Sequence, residues 1–140
     1  MKQVGNLQIY VDRFQSLYHN PRDVPIIIPV GETVLDRELA MTRVGGDAEL
    51  LKEIAILFLD DYPSALSDLH HALDRGDARA VERTAHGLKG SVANFGASTA
   101  VEAARSIENL GRAQKLAEVA QVLGTLELAL AALRPELESL

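Results

Sequence analysis

The sequence predicts an all-α fold, an antiparallel up-down four-helix bundle with a short extra helix at its N-terminal end. Three observations predict it. Hydrophobic residues make up 47% of the 140-residue chain but aromatics only 4%, so leucine, alanine, valine and isoleucine must fill the interior. Beyond Thr33 the apolar residues recur at steps of three and four, the period of a helix rather than a strand. Capping residues and glycines cut this stretch into helical segments with short connections, which favour antiparallel neighbours.

Taken in order, residues 1–32 read as an arm or linker and residues 33–140 as the bundle domain. In the arm, Leu7, Ile9 and Val11 alternate, and Phe14, Leu17 and Tyr18 fit a short helix. Pro21, Pro25 and Pro29 then bracket Ile26-Ile27-Ile28, which blocks helix and favours an extended tether. Thr33 to Asp36 resembles a capping box with aspartate in place of glutamate, opening a short helix that runs to Val44 and stops at Gly45-Gly46. Asp47 caps a long helix with core positions Leu50, Leu51, Ile54, Leu57, Phe58, Leu66, Leu69 and Leu73. Pro63 is expected to kink or divide it, because its nitrogen cannot donate and its ring crowds the preceding turn. Gly76 ends that helix, Asp77 caps the next, and Gly96 closes it. Thr99 to Glu102 reads as a capping box for a helix ending near Gly111. The last helix starts around Gln114, carries Leu116, Val119, Leu123, Leu126, Leu130 and Leu133 inward, and is expected to break at Pro135.

Composition narrows the function. A net charge of −6 offers no basic field for phosphate backbones, which argues against nucleic-acid binding. The absence of cysteine excludes disulfides, thiolate metal sites and cysteine nucleophiles. The longest apolar runs, such as Ile54 to Leu59, are too short to cross a bilayer, and no basic-then-apolar leader opens the chain. The expectation is a cytoplasmic protein without membrane insertion.

The chemistry concentrates in Ala85-His86-Gly87-Leu88-Lys89-Gly90. Two glycines stand inside a helix there, each costing about 1 kcal/mol relative to alanine. Val81, Ala85, Leu88, Val92 and Phe95 form the buried stripe, and His86 lies about 100° away from Ala85. On its side lie Arg79, Glu82, Arg83, Lys89, Gly90 and Ala93. The histidine thus projects outward with almost nothing shielding it.

Other chemistries fit poorly. Phosphate-loop spacing is absent around Gly87 to Ser91, and adjacent His70 and His71 point to different sides of their helix. No Glu-x-x-His pair supports a di-metal centre, and Ser91 lies roughly 140° around the helix from His86. What is left is the imidazole itself as a nucleophile. Unperturbed imidazole, with a pKa near about 6.5, keeps a lone pair at physiological pH and can attack a phosphorus held by another protein. Lys89 can bring positive charge to the phosphoryl oxygens, and Gly90 is where a side chain would most obstruct a docking partner.

These residues carry a family resemblance. Ala85 to Ser91, followed by Asn94-Phe95-Gly96-Ala97, resembles the signature of histidine-containing phosphotransfer (HPt) domains. The similarity runs from about Val34 to Leu133 and takes in Arg43 to Asp47, Phe58 to Pro63, Gly76-Asp77, Glu108 and Gly111-Arg112. It implies that His86 accepts a phosphoryl group through Nε2 from an aspartyl phosphate on one receiver domain and passes it to another. It implies Lys89 as charge support and Gly90 as steric clearance. It also implies response-regulator receivers and a hybrid sensor histidine kinase as partners. No cofactor of its own is expected, magnesium being supplied by the receiver. The expected docking surface takes in Arg79, Arg83, Ala93, Leu59 and Tyr62. Two rival readings are a histidine-kinase dimerisation helix pair, where an acidic residue usually follows the histidine but Gly87 stands here, and a helical adaptor never phosphorylated at His86.

Overall fold

A computed structural model describes residues 35–140, all helix and short connections. The expected arm over residues 1–32, with its short helix and proline-marked tether, lies outside the described residues, as does Thr33. Five helices follow one another: α1 (Arg37–Arg43), α2 (Ala48–Arg75), α3 (Ala78–Ala93), α4 (Ser98–Arg112) and α5 (Leu116–Glu138). Each of the four long helices packs on two others. α2 touches α3 and α5, and α4 touches α3 and α5.

α1 opens at Asp36, whose carboxylate accepts from Leu39 N at 3.0 Å. Asp36 is therefore the cap itself, not the far member of a box begun at Thr33. Its backbone N–H donates to the Phe95 carbonyl at 3.0 Å, and Leu35 is fully buried, so the chain enters the bundle beside the end of α3. Gly96, expected only to terminate a helix, has a second duty there. It sits at φ 61°, and a Cβ at this position would stand 2.5 Å from Asp36 Cβ.

α2 is one helix of 28 residues, capped by Asp47 and closed by Gly76 in the left-handed region. Pro63 does not divide it. The proline ring lies on an exposed side while Phe58, Tyr62 and Leu69 hold the helix to the core on either side. The buried stripe is Leu51, Ala55, Phe58, Tyr62, Leu69 and Ala72. Leu50 and Leu57, expected inside, are exposed at 40% and 62%, because the apolar run supplies more side chains than one face can cover.

α3 and α4 also start differently from one another. Asp77 caps α3 through Ala80 N at 3.0 Å, as the sequence predicts. α4 begins at Ser98 with Ala97 at its cap and no side-chain cap bond, so the expected box at Thr99 to Glu102 lies inside the helix. α5 runs through Pro135 to Glu138, held by buried Leu133 and Leu137 on either side of the proline. By length and composition α5 is long and apolar enough to cross a membrane, contrary to the expectation drawn from uninterrupted apolar runs. In the fold its leucines face α2 and α4 and build the core.

Candidate functional site

α3 and α4 approach closely because small residues line their contact. Ala80 and Ala85 on α3 and Ala100, Ala103, Ala104 and Gly111 on α4 are all buried. At Gly111 a Cβ would stand 3.0 Å from Glu82 N and 3.1 Å from Ala78 O, both backbone atoms, so any larger residue would push the two helices apart. One turn before Gly111, on the same buried stripe, α4 carries Glu108. The short spacing delivers that carboxylate to the histidine helix.

His86 stands on the outer side of α3 with its side chain 69% exposed, between buried Ala85 and Leu88. Its Nδ1 lies 2.7 Å from Glu108 Oε2. Glu108 Oε1 accepts from Lys89 Nζ at 2.6 Å. Arg112, one turn further along α4, holds Nη2 at 3.4 Å from Glu108 Oε2 and donates from Nε to Glu82 Oε2 at 2.9 Å. The Glu108 side chain is only 6% exposed, and a buried carboxylate persists as an anion only when it is paired. The hydrogen bond from Lys89 is the largest influence on its pKa, holding it below the ordinary value against burial, with His86 assisting.

An ionised carboxylate accepts and does not donate, so Nδ1 carries the proton in neutral His86. The lone pair is then on Nε2, the nitrogen pointing away from Glu108 and toward solvent. Glu108 thus decides which ring nitrogen carries the free lone pair. Such an arrangement can present an oriented imidazole lone pair to an electrophile, with a cation nearby.

The Hpt domain family model matches residues 53–136. The chain belongs to the Hpt domain family. Its structure is similar to the crystal structure of histidine-containing phosphotransfer protein B from Pseudomonas aeruginosa PAO1, with a TM-score of 0.72 and 25% identity over 78% of this chain and 95% of that one. No curated protein matches the sequence. Histidine phosphotransfer in a two-component phosphorelay is the role of this Hpt domain.

The expected site residues divide clearly within the Hpt fold. Lys89 is 26% exposed and is drawn toward Glu108, so its charge serves the carboxylate in this unmodified form. At Gly90 and Gly87 a Cβ would meet nothing within 4 Å, so neither glycine is needed for internal packing. Ser91 Oγ donates to the Gly87 carbonyl at 3.1 Å, a local bond within α3. Arg79 and Arg83 are exposed, Ala93 is half-buried, and Leu59 packs half-buried against the core.

Tyr62 is not on the surface. It is buried, stacked on Phe58 with ring centroids 5.2 Å apart, and its hydroxyl accepts from Arg134 Nε at 2.9 Å. The reason is register: Tyr62 follows Leu51, Ala55 and Phe58 on the inward stripe of α2. The exposed apolar side chains of α2 are Leu50, Ile56 and Leu57. Leu57 and half-buried Ile54 border a shallow groove of about 160 Å³ whose other wall is Ser91, Asn94 and Phe95 of the α3 end.

In the sequence, Glu108 and Arg112 carry no role beyond their place in the family resemblance. Their signal in the sequence is a carboxylate on an otherwise small and apolar stripe, Ala100, Ala104, Ile107 and Gly111, with an arginine four residues on. A charge on a buried face implies a partner on the neighbouring helix.

Proposed function

We propose that His86 is the phospho-acceptor, taking a phosphoryl group on Nε2 from the aspartyl phosphate of one receiver domain and passing it to another. The observation that carries this reading is the 2.7 Å contact between His86 Nδ1 and Glu108 Oε2, which leaves Nε2 unprotonated and exposed. The Nε2 lone pair forms the N–P bond while the acyl P–O bond breaks, and its electron pair leaves with the receiver's aspartate. The ring keeps its Nδ1 proton and becomes cationic, with Glu108 as counter-charge. Onward transfer reverses these steps with the second receiver's carboxylate as nucleophile. Positioning and charge stabilisation are the main demands of phosphoryl transfer, so little further machinery is required of this chain.

Lys89 supports the phosphoryl oxygens as they arrive, and Gly90 and Gly87 leave the approach open. The receiver supplies magnesium from its own acidic pocket. The docking surface is formed by Arg79 and Arg83 with Ala93 and Leu59, extended by exposed Leu57 of α2. Response-regulator receivers and a hybrid sensor histidine kinase are the partners, in the cytoplasm, with no role for nucleic acid or membrane insertion. The short connections and the packing of each long helix on two others support an antiparallel up-down four-helix bundle, with α1 as the short extra helix.

The test is transfer of radiolabel from a phosphorylated receiver. Wild type should acquire acid-labile, base-stable label, and His86→Gln should acquire none. Label taken directly from ATP without a receiver, or label persisting on His86→Gln, would sink the assignment.

A further inference from the structure

The charges around Glu108 cancel before any phosphoryl group arrives. Glu82 and Glu108 carry two negative charges, and Lys89 and Arg112 carry two positive ones. A phosphoryl group on Nε2 places about two negative charges on its oxygens while the ring becomes cationic, so this cluster gains one net negative charge. Lys89 lies one turn from His86 on the histidine helix, and its ammonium is already committed to Glu108 Oε1 at 2.6 Å. If Lys89 turns outward to the phosphoryl oxygens, the buried carboxylate loses its strongest partner. Arg112 is placed to take over. Its guanidinium is anchored on Glu82 by Nε at 2.9 Å and holds a second nitrogen at 3.4 Å from Glu108 Oε2, a contact too long to be a good hydrogen bond in the unmodified form.

Resting on the assignment of His86 above, we propose that Arg112 is a positioning residue that closes on Glu108 when Lys89 turns to the phosphoryl group. It keeps the carboxylate ionised and the His86 Nδ1 proton in place through the phosphorylated state. The guanidinium suits this because its planar fork reaches two carboxylates at once, where an ammonium offers a single point of charge. Glu82 holds the fork between the helices, so Arg112 needs a small shift and no new rotamer search. A ring that keeps its Nδ1 proton is the better leaving group, so the benefit falls on onward transfer from phosphohistidine to the receiver.

The experiment compares Arg112→Ala, Arg112→Lys, Glu108→Gln and the Arg112→Ala/Glu108→Gln double variant in the full chain. It reads onward transfer to a receiver in single turnover and the ¹⁵N signal of His86 Nδ1 in the phosphorylated protein. Arg112→Ala should slow onward transfer about threefold, the size expected of a partly exposed ion pair. It should also weaken the protonated Nδ1 signal, and Arg112→Lys should restore part of both. In the Glu108→Gln background, removing Arg112 should change neither. Equal losses in both backgrounds would overturn the proposal, since Arg112 would then act on the phosphoryl group or the fold directly. An Arg112→Ala protein indistinguishable from wild type would overturn it too. Failure of wild type to accept label at all would instead remove the His86 assignment.

Discussion

Glu108 on α4 and His86 on α3 are 22 residues apart in the chain and 2.7 Å apart in space, joining a buried carboxylate to an exposed imidazole. This pair separates two duties. The buried member carries the charge and orients the ring, and the exposed member presents a free ring nitrogen. Lys89 completes the unit from the other carboxylate oxygen.

Glu108→Gln keeps an acceptor for the Nδ1 proton and removes the charge. Transfer to His86 should fall roughly five- to tenfold, the difference of about 1–1.5 kcal/mol between a charge-assisted and a neutral hydrogen bond. Glu108→Ala should lose more and should admit the Nδ1-lone-pair tautomer, visible in the ¹⁵N shifts of the ring. An Ala variant with the wild-type tautomer would show that the carboxylate does not select the attacking nitrogen.

The same carboxylate makes stability depend on pH. Its folded pKa lies below the ordinary value of 4.5, so its contribution is present above that value. That contribution is lost as pH falls through the lowered folded value. The melting temperature of wild type should therefore drop more steeply than that of Glu108→Gln below about pH 4.5. Parallel curves would place the acid sensitivity in other carboxylates.

Gly90→Leu tests steric clearance. Nothing within 4 Å opposes a Cβ there, and leucine is the better helix former, so the variant should melt at or above the wild-type temperature. Transfer from a receiver should slow by more than about tenfold if a docked partner approaches over this position, a loss of about 1.4 kcal/mol or more. Unchanged transfer rates would mean the partner never closes on that surface.

Tyr62→Phe and Leu57→Ala should separate core from surface. The first removes the hydroxyl that Arg134 donates to and should cost about 1 kcal/mol of stability with transfer unaffected. The second removes an exposed side chain and should leave the melting temperature within about a degree or two while weakening receiver binding. Chemical denaturation and receiver titration would read both. The reverse pattern would put the docking surface on the wrong side of α2.

Much of the molecule can be read from the chain alone, for a local reason. The helical class, the Asp47 and Asp77 caps, the Gly76 stop and the outward direction of His86 all depend on residues within one or two turns. Apolar spacing and capping report such short-range geometry directly. α4 starts ahead of the Thr99-to-Glu102 pattern because Ser98 N–H donates to the Gly96 carbonyl and Val101 N–H to the Ala97 carbonyl, which opens the helix at Ser98. Neither Pro63 nor Pro135 ends its helix, since buried neighbours on either side hold α2 and α5 to the core. Tyr62 and Leu57 exchanged places because a dense apolar run leaves the inward stripe undetermined until neighbouring helices are present.

That a histidine stands uncovered on a helix of an aliphatic bundle is written into the local pattern, because glycines, caps and the helical period act within that one helix. Which ring nitrogen is free, and where the Lys89 charge and the Arg112 guanidinium sit, are set by packing between helices. Those depend on Glu108, brought across from another helix by the close approach that Gly111 permits, and no local pattern encodes a distance between two helices.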